Sequence, residues 1–388
     1  MSERIKFAVI GCGLMAEHHL RGYREIKEND PELFEIVAAC DIDGEKARNL
    51  ANKAGEFQSA PSVYTDLGEM LKREEIDAVD IITTHSDHHV STIACLDAGI
   101  HVMVEKPFAI TIRAGWKMLD AAKRSGKILA SAEPARRGVV TRTMEWAMNR
   151  AHLIGDLRMF FAERALYTLR VVVGTPWRHQ RIYGGGGWVI DGEVHYMDVL
   201  RSFFGDVEKV YAETRNFEPT RYLDAKNLQN PVPSDVEDTA FCVLTFKSGL
   251  IGQFVWTEAA VGEQINRRIY HGSEGSIDEN GIRLKDGPTR SMDELREEFL
   301  GSLTPDDKEE LFPHGITNAI ALGIYDFLDA IRSGREPEVT GWDGFAAQAI
   351  CDAIYESSYC GQAVNVDDVI SGKIEAYQRD INEHWGLG

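Results

Sequence analysis

The first third of the chain alternates short apolar runs with segments of helical period. Ile5 to Ile10 is the first run, and a helical segment follows through about Lys27. Ile36 to Cys40, Asp77 to Thr83, His101 to Val104 and Ile128 to Ala132 continue the series, the last counted as a sixth strand. Helices are expected from His88 to Ala98 and from Thr111 to Arg124. Unbroken apolar runs mark strands buried on both faces, and strands alternating with helices build a parallel sheet through right-handed crossovers. The ligand crevice of such a sheet lies at the strands' carboxyl ends.

Past residue 134 the pattern changes. Val207 to Phe217, Thr239 to Phe246, Leu250 to Thr257, Ile265 to His271, Ser276 to Glu279 and Ile282 to Lys285 read as strands. Lys247-Ser248-Gly249 reads as a hairpin turn and Asn280-Gly281 as a type I′ turn. Phe241, Val243 and Thr245 alternate with Cys242, Leu244 and Phe246, which predicts a sheet partly covered on both faces, as packing between copies would do. The polar stretch from Phe217 to Asp235, with three prolines, reads as a long loop. Helices from Thr317 to Ile331 and from Gly344 to Tyr359 close the chain.

Gly184 to Gly187 is a run of four glycines, followed by apolar residues at helical spacing from Val194 to Phe204 and a stop at Gly205. Glycines there permit a tight turn and the close approach of a ligand. Asp191 is the expected N-cap, with His195 one turn on along the same face. A carboxylate beside an imidazole at a helix entrance suits proton transfer to or from a substrate hydroxyl.

Composition sets limits on partners. A chain of 388 residues predicts two or three domains, and a formal net charge of −20 disfavours nucleic acid and anionic membrane surfaces. No signal-peptide pattern opens the chain, and no apolar run approaches the ~18 residues of a membrane span. The six cysteines are scattered without a Cys-x-x-Cys pair. A cytoplasmic protein is expected.

The chemistry begins at Gly11-Cys12-Gly13-Leu14-Met15-Ala16, a G-x-G-x-x-A fingerprint between a strand and a helix. Gly11 serves the turn, Gly13 the approach of a pyrophosphate and Ala16 the helix–strand packing, while the helix N-terminus offers free N–H groups. Asp41 ends the second strand, 30 residues after Gly11, with residues 28–32 as an inserted loop. A carboxylate there accepts hydrogen bonds from the ribose and repels a 2′-phosphate, which favours NAD over NADP. His85, His88 and His89 share one strand-end loop, but no carboxylate or thiolate ligands stand at metal spacing, so no metal is expected. His18 and His19 read as packing or surface residues. Lys106, followed by Pro107, stands at another strand end, placed to donate to a substrate hydroxyl or a developing alkoxide. Two arginine groupings, Arg136/Arg137 and Arg164/Arg170/Arg178/Arg181, are candidates for substrate contacts, although most are expected to pair with the abundant acids. Trp177 and Tyr167 are candidates for a sugar platform.

These motifs resemble the glucose–fructose oxidoreductase and inositol dehydrogenase (Gfo/Idh/MocA) family. The resemblance runs through Gly11-x-Gly13-x-x-Ala16 with His19, Asp41, His88, Ala98-Gly99-x-His101-Val102-x-x-Glu105-Lys106-Pro107 and Trp177-Arg178. It continues through the glycine run, Asp191-x-x-x-His195, Gly272-x-x-Gly275, Gly334-x-x-Pro337 and Gly341-x-Asp343-Gly344. It implies an α/β protein: a Rossmann doubly wound parallel sheet over residues 1–134, then a substrate-binding and oligomerisation α/β domain with a large open, mainly antiparallel sheet over 135–388. It also implies NAD held by Gly11, Gly13, Leu14, Met15, Ala16, Asp41, Thr83, His85, His88, Glu105 and Lys106, with the nicotinamide near Lys106, Asp191 and His195. These last three are the expected catalytic residues, and Arg137, Trp177 and Arg178 join them around the substrate. A homodimer or homotetramer is implied. One departure is Glu193, where the family more often has glycine; it is expected to point into solvent from the first helical turn, with a further carboxylate at the pocket rim that raises a neighbour's pKa as the alternative. The leading expectation is a dehydrogenase of sugars, polyols or their derivatives. An NAD-recycling glycosidase and a non-catalytic NAD or sugar sensor are the alternatives.

Overall fold

The computed structural model describes residues 4–168, 175–224 and 226–388. The chain forms two compact units, one of residues 1–110, 114–137 and 306–345, the other of 111–113, 138–305 and 346–388.

In the first unit, β1 (Ile5–Ile10), β2 (Phe34–Cys40), β3 (Ser62–Tyr64), β4 (Ala78–Ile81), β5 (His101–Glu105) and β6 (Leu129–Ala132) form one parallel sheet. Its order, β3-β2-β1-β4-β5-β6, is the doubly wound arrangement expected. Five of the six strands are apolar because helices cover both faces. The short β3 is an edge strand with two exposed residues, and no apolar run announces it. The connecting helices are α1 (Leu14–Asn29), α2 (Gly44–Ala54), α3 (Leu67–Arg73), α4 (His88–Asp97) and α5 (Ile112–Ser125). A later helix, Ala319–Ser333, returns to pack on α1, where a Cβ on Gly22 would stand 3.3 Å from the Ala321 Cα.

The second unit is built on a nine-stranded sheet. Its strands are β7 (Leu157–Ala165), β8 (Val207–Arg215), β11 (Thr239–Phe246), β12 (Ile251–Thr257), β13 (Ile265–Gly272), β14 (Gly275–Asp278), β15 (Gly281–Leu284), β16 (Arg290–Ser291) and β17 (Val364–Asn365). They lie in the order β16-β15-β14-β13-β7-β12-β11-β8-β17, and only β7–β12 is parallel. The central β7 is missing from the expected strands: its run Leu-Arg-Met-Phe-Phe-Ala-Glu-Arg-Ala carries Arg158 and Arg164 on one face and Glu163 on the other, so neither face reads as apolar. The stretch expected as a long loop instead holds an antiparallel ribbon, β9 (Thr220–Asp224) with β10 (Gln229–Pro233). Its prolines sit at the ribbon's edge, where a missing N–H costs no ladder bond. The two-residue turn after β14 is Glu279-Asn280, one position earlier than expected, and Gly281 opens β15.

Along β11, Cys242, Leu244 and Phe246 are buried while Phe241 and Val243 are 54% and 46% exposed. The register sets Val243 beside Tyr211, and Met159 beside Ile251, so one sheet face of the chain carries an exposed apolar band. Among the described residues, no helix is long and apolar enough to cross a membrane.

Candidate active site

The dinucleotide loop sits where β1 meets α1. Gly11 has φ +87°, and a Cβ on it would meet the Ile82 carbonyl oxygen at 2.5 Å, so the turn and the β1–β4 crossing both require glycine. Gly13 differs: a Cβ there meets nothing within 4 Å, which leaves open space over the backbone. No side chain caps α1 at Gly13, so the first N–H groups of the helix are left for an anion. Ala16 is fully buried, as close packing requires, and Leu14 is 77% exposed, with Met15 half-buried beside it. Asp41 follows β2, and its Oδ2 accepts from the Cys12 N–H at 2.7 Å while Oδ1 accepts from the Asp43 N–H at 2.8 Å. The carboxylate is thus fixed beside the glycine loop and only half-buried.

Thr83, His85, His88, Glu105 and Lys106 stand at or just past the carboxyl ends of β4 and β5. Thr83 Oγ1 is buried without a hydrogen-bond partner among the described residues. His88 is buried, its Nδ1 lies 2.8 Å from the Pro107 carbonyl oxygen, and burial, with His85 beside it, lowers its pKa to about 4. It is therefore a neutral imidazole that donates from Nδ1. The Lys106–Pro107 peptide is cis. The open space at Gly13, the uncapped helix, the orphaned Thr83 hydroxyl and the placed Asp41 carboxylate together fit a dinucleotide.

Arg137 lies in this same unit, but it is committed elsewhere. Its guanidinium is buried, donates to Asp326 Oδ2 at 2.9 Å and to the Glu133 carbonyl at 2.7 Å, and stands 3.3 Å from Glu338. It pins residues 306–345 to the end of β6. His19 is neither a packing nor a surface residue: it is buried between the carboxylates of Asp80 and Glu105.

In the second unit the glycine run behaves differently from its expected role. A Cβ on Gly186 would strike the Tyr355 ring, and one on Gly187 would stand 2.3 Å from the Glu237 carbonyl oxygen. Protein groups fill the Cβ positions of both, although Gly187 also lines a hollow beside Asp191. Asp191 is not the N-cap of the helix carrying His195. It ends a separate four-residue helix, Trp188–Asp191, and Gly192, whose Cβ would collide with the Trp188 indole, breaks the path to the helix Val194–Phe204. Asp191 is buried and ion-paired with Arg178, which sits in the short turn Pro176–His179 with its guanidinium 4.9 Å from the Trp177 ring. His195 is half-buried in the first turn of its helix.

Glu193 corrects another expectation. It is 2% exposed, lies 3.4 Å from Arg268 and 3.8 Å from Arg164, and burial raises its pKa. The two arginines come from β13 and β7, so the folded sheet supplies its charged partners. Arg181 pairs with Asp380, and Tyr167 reaches Glu218 at 3.4 Å; Arg170 lies outside the described residues.

Several site residues have no local signal in the sequence. A small hollow is lined by Asp191, Arg178, Gly187, Trp188, Arg221, Glu237 and Glu258, together with His179. Glu237 is buried under the four-residue helix; its Oε2 accepts from the Gly187 N–H at 2.7 Å and its Oε1 from the Val189 N–H at 3.0 Å and the Tyr355 hydroxyl at 2.9 Å. Burial lifts its pKa to about 7 against those bonds. Arg221 comes from the unexpected ribbon and is 2% exposed.

Comparison with known proteins agrees with this anatomy. Residues 5–133 match the model of an oxidoreductase family with an NAD-binding Rossmann fold, and residues 147–278 match the GFO/IDH/MocA C-terminal domain. The chain is 27% identical to a D-apiose dehydrogenase of Paraburkholderia graminis, over 94% of this chain and 90% of that protein. It is 25% identical to a myo-inositol 2-dehydrogenase of Thermotoga maritima, over 94% of this chain and all of that protein. Its fold is shared with a levoglucosan dehydrogenase solved in complex with NADH, at a TM-score of 0.77 and 23% identity, over 94% and 99% of the two chains.

Proposed function

Because the chain belongs to the Gfo/Idh/MocA family of NAD-dependent oxidoreductases, we propose that it oxidises a secondary hydroxyl of a sugar or cyclic polyol, with Lys106, Asp191 and His195 as its catalytic residues. The observation that carries the substrate class is the hollow beside Asp191. It brings arginines, carboxylates and an indole face together in one space, which suits a neutral ligand whose hydroxyls each donate and accept. Trp188 stacks on Trp256, with centroids 6.2 Å apart, and offers a flat apolar wall to a sugar ring.

When bound, NAD+ supplies a hydride acceptor. His195 takes the hydroxyl proton as the carbinol carbon loses hydride, so the alcohol becomes a ketone and the proton leaves through the imidazole. Asp191, fixed by Arg178, offsets the positive charge that His195 gains. Lys106 donates to the reacting oxygen and stabilises negative charge on it. Arg178 and Trp177 contribute further contacts to the substrate ring. Asp41 selects NAD+ over its 2′-phosphorylated form.

The same reading makes the protein a cytoplasmic homo-oligomer. All six cysteines are free thiols, and the apolar band of Phe241, Val243, Tyr211 and Ile251 suits a second copy. The test is to incubate the purified protein and NAD+ with D-apiose, levoglucosan, myo-inositol and aryl glycosides, recording NADH absorbance and aglycone release together. Net NADH with a free sugar or polyol is expected. Aglycone release without net NADH would overturn the dehydrogenase reading.

A further inference from the structure

His19 sits in the second turn of α1, close behind the dinucleotide loop, and is 1% exposed. Its Nδ1 is 2.7 Å from Asp80 Oδ2, at the end region of β4, and its Nε2 is 2.9 Å from Glu105 Oε1, at the last position of β5. A neutral imidazole has one N–H and donates to one carboxylate, leaving a lone pair facing the other. Two ionised carboxylates at these distances are satisfied together when both ring nitrogens carry protons; the alternative is a carboxyl that keeps the proton and donates it to the ring. The other oxygen of Glu105, Oε2, accepts from the Lys106 N–H at 3.1 Å. The Glu105 carboxylate thus spans from α1 to the backbone of the residue placed at the reacting oxygen.

We propose that His19 is a positioning residue: as a charged imidazolium it fixes the Glu105 carboxylate and, through it, the Lys106 backbone, tying that strand end to the helix that begins at the dinucleotide loop. The coupling rests on the catalytic assignment of Lys106 above, whereas the charge on His19 rests on its place between two buried carboxylates and not on that assignment. The titratable groups around the ring are Tyr23 on its own helix, whose hydroxyl donates to Asp80 Oδ2 at 2.5 Å, Asp80 on β4, Glu105 on β5, and Glu133, which shares a small cavity with His19. Burial alone would discharge the ring, but Asp80 and Glu105 outweigh it and raise its pKa to about 10. The clamp therefore stays charged across the range in which a catalytic histidine titrates. It holds its geometry while His195 cycles between its two forms.

Two measurements test this. In the native protein, nitrogen-resolved NMR of labelled histidines at about pH 8.5 is expected to show one imidazole protonated on both nitrogens. That signal is expected to be absent from His19→Gln. If every imidazole is neutral at that pH, the charged clamp is overturned. The second measurement is a double-variant cycle with His19→Gln and Lys106→Ala, reading turnover of D-apiose, levoglucosan and myo-inositol alongside NADH affinity. His19→Gln is expected to cut turnover at least tenfold while the NADH Kd moves less than threefold, and to add little to the loss in Lys106→Ala. Fully additive losses, or an NADH affinity that falls as far as turnover, would make His19 a general structural residue and overturn the coupling. If Lys106→Ala alone keeps full turnover, the catalytic reading fails and takes the coupling with it, and the NMR result then stands apart from both.

Discussion

Two glycines two residues apart, Gly11 and Gly13, are expected to fail in opposite ways when replaced by alanine. At Gly11 the methyl would lie 2.5 Å from the Ile82 carbonyl oxygen and 2.8 Å from the Thr83 nitrogen, on a backbone with φ +87°. The ordinary floor for carbon–oxygen contact is about 3.3 Å. The ends of β1 and β4 would have to part, although the Ile82 N–H is bound to the Ile10 carbonyl at 2.7 Å. The left-handed conformation costs about 1–2 kcal/mol for a residue with a Cβ, and overpacking about 1–3 kcal/mol more. Gly11→Ala is therefore expected to lower the melting temperature and NADH affinity together. At Gly13 the backbone is at φ −81° and ψ −160°, which alanine adopts freely, and the new methyl meets nothing within 4 Å. That variant is expected to be as stable as the native chain, or more stable by about 0.4–1 kcal/mol through a less flexible unfolded state. Yet the methyl occupies the space over which a pyrophosphate would approach, so NADH binding is expected to weaken at least tenfold, about 1.4 kcal/mol. Calorimetric titration with NADH and a thermal melt of each variant decide the matter. A Gly13→Ala protein that binds NADH like the native one would remove the nucleotide from this loop. One that melts well below it would refute the local geometry.

Replacing His195 or Lys106 with alanine is expected to cut turnover about a hundredfold to ten-thousandfold while NADH still binds; near-native turnover in either removes that residue from the chemistry. Asp41→Asn keeps an acceptor for the Cys12 N–H but loses the charge, and the ratio of kcat/KM for NAD+ over NADP+ is expected to fall at least tenfold. Glu237 has a folded pKa raised to about 7, so its favourable contribution is complete below its ordinary pKa near 4.5 and is lost as pH rises through 7. Relative to the native chain, Glu237→Gln should therefore gain up to about 3 kcal/mol of stability between pH 5 and pH 8, read from denaturant midpoints, and a difference that does not vary with pH contradicts the buried charge. Lysines at both Phe241 and Val243 are expected to convert the oligomer to monomers in sedimentation experiments, and a native protein that already sediments as a monomer removes the second copy from that sheet face.

What the sequence discloses divides along a physical line. The parallel strands are legible because burial on both faces leaves only apolar residues, as in Phe7 to Ile10 or Val102 to Val104. The glycine loop and Asp41 are legible because neighbours in sequence build that part of the site. The second unit obeys neither condition. β7 is central in its sheet, yet it carries Glu163 toward Arg267 on one face and Arg164 toward buried Glu193 on the other, so charges interrupt both of its faces. Arg221 sits in a ribbon whose prolines imitate a loop. The four glycines look like an invitation to a ligand, but what fills the Cβ positions of Gly186 and Gly187 is Tyr355 and Glu237, residues far along the chain. Asp191 and His195 keep their helical spacing in sequence while Gly192 cuts the helix between them. Glu193 reads as an ordinary charge in a first turn until two arginines from separate strands close over it. His19 shows the same limit in the most legible unit: its partners lie 61 and 86 residues away, on strands whose own apolar runs are plain. Period and spacing report which face a residue is on. They do not report the charge it meets there, and in this chain the groups that hold the candidate catalytic residues in place are charges met across the fold.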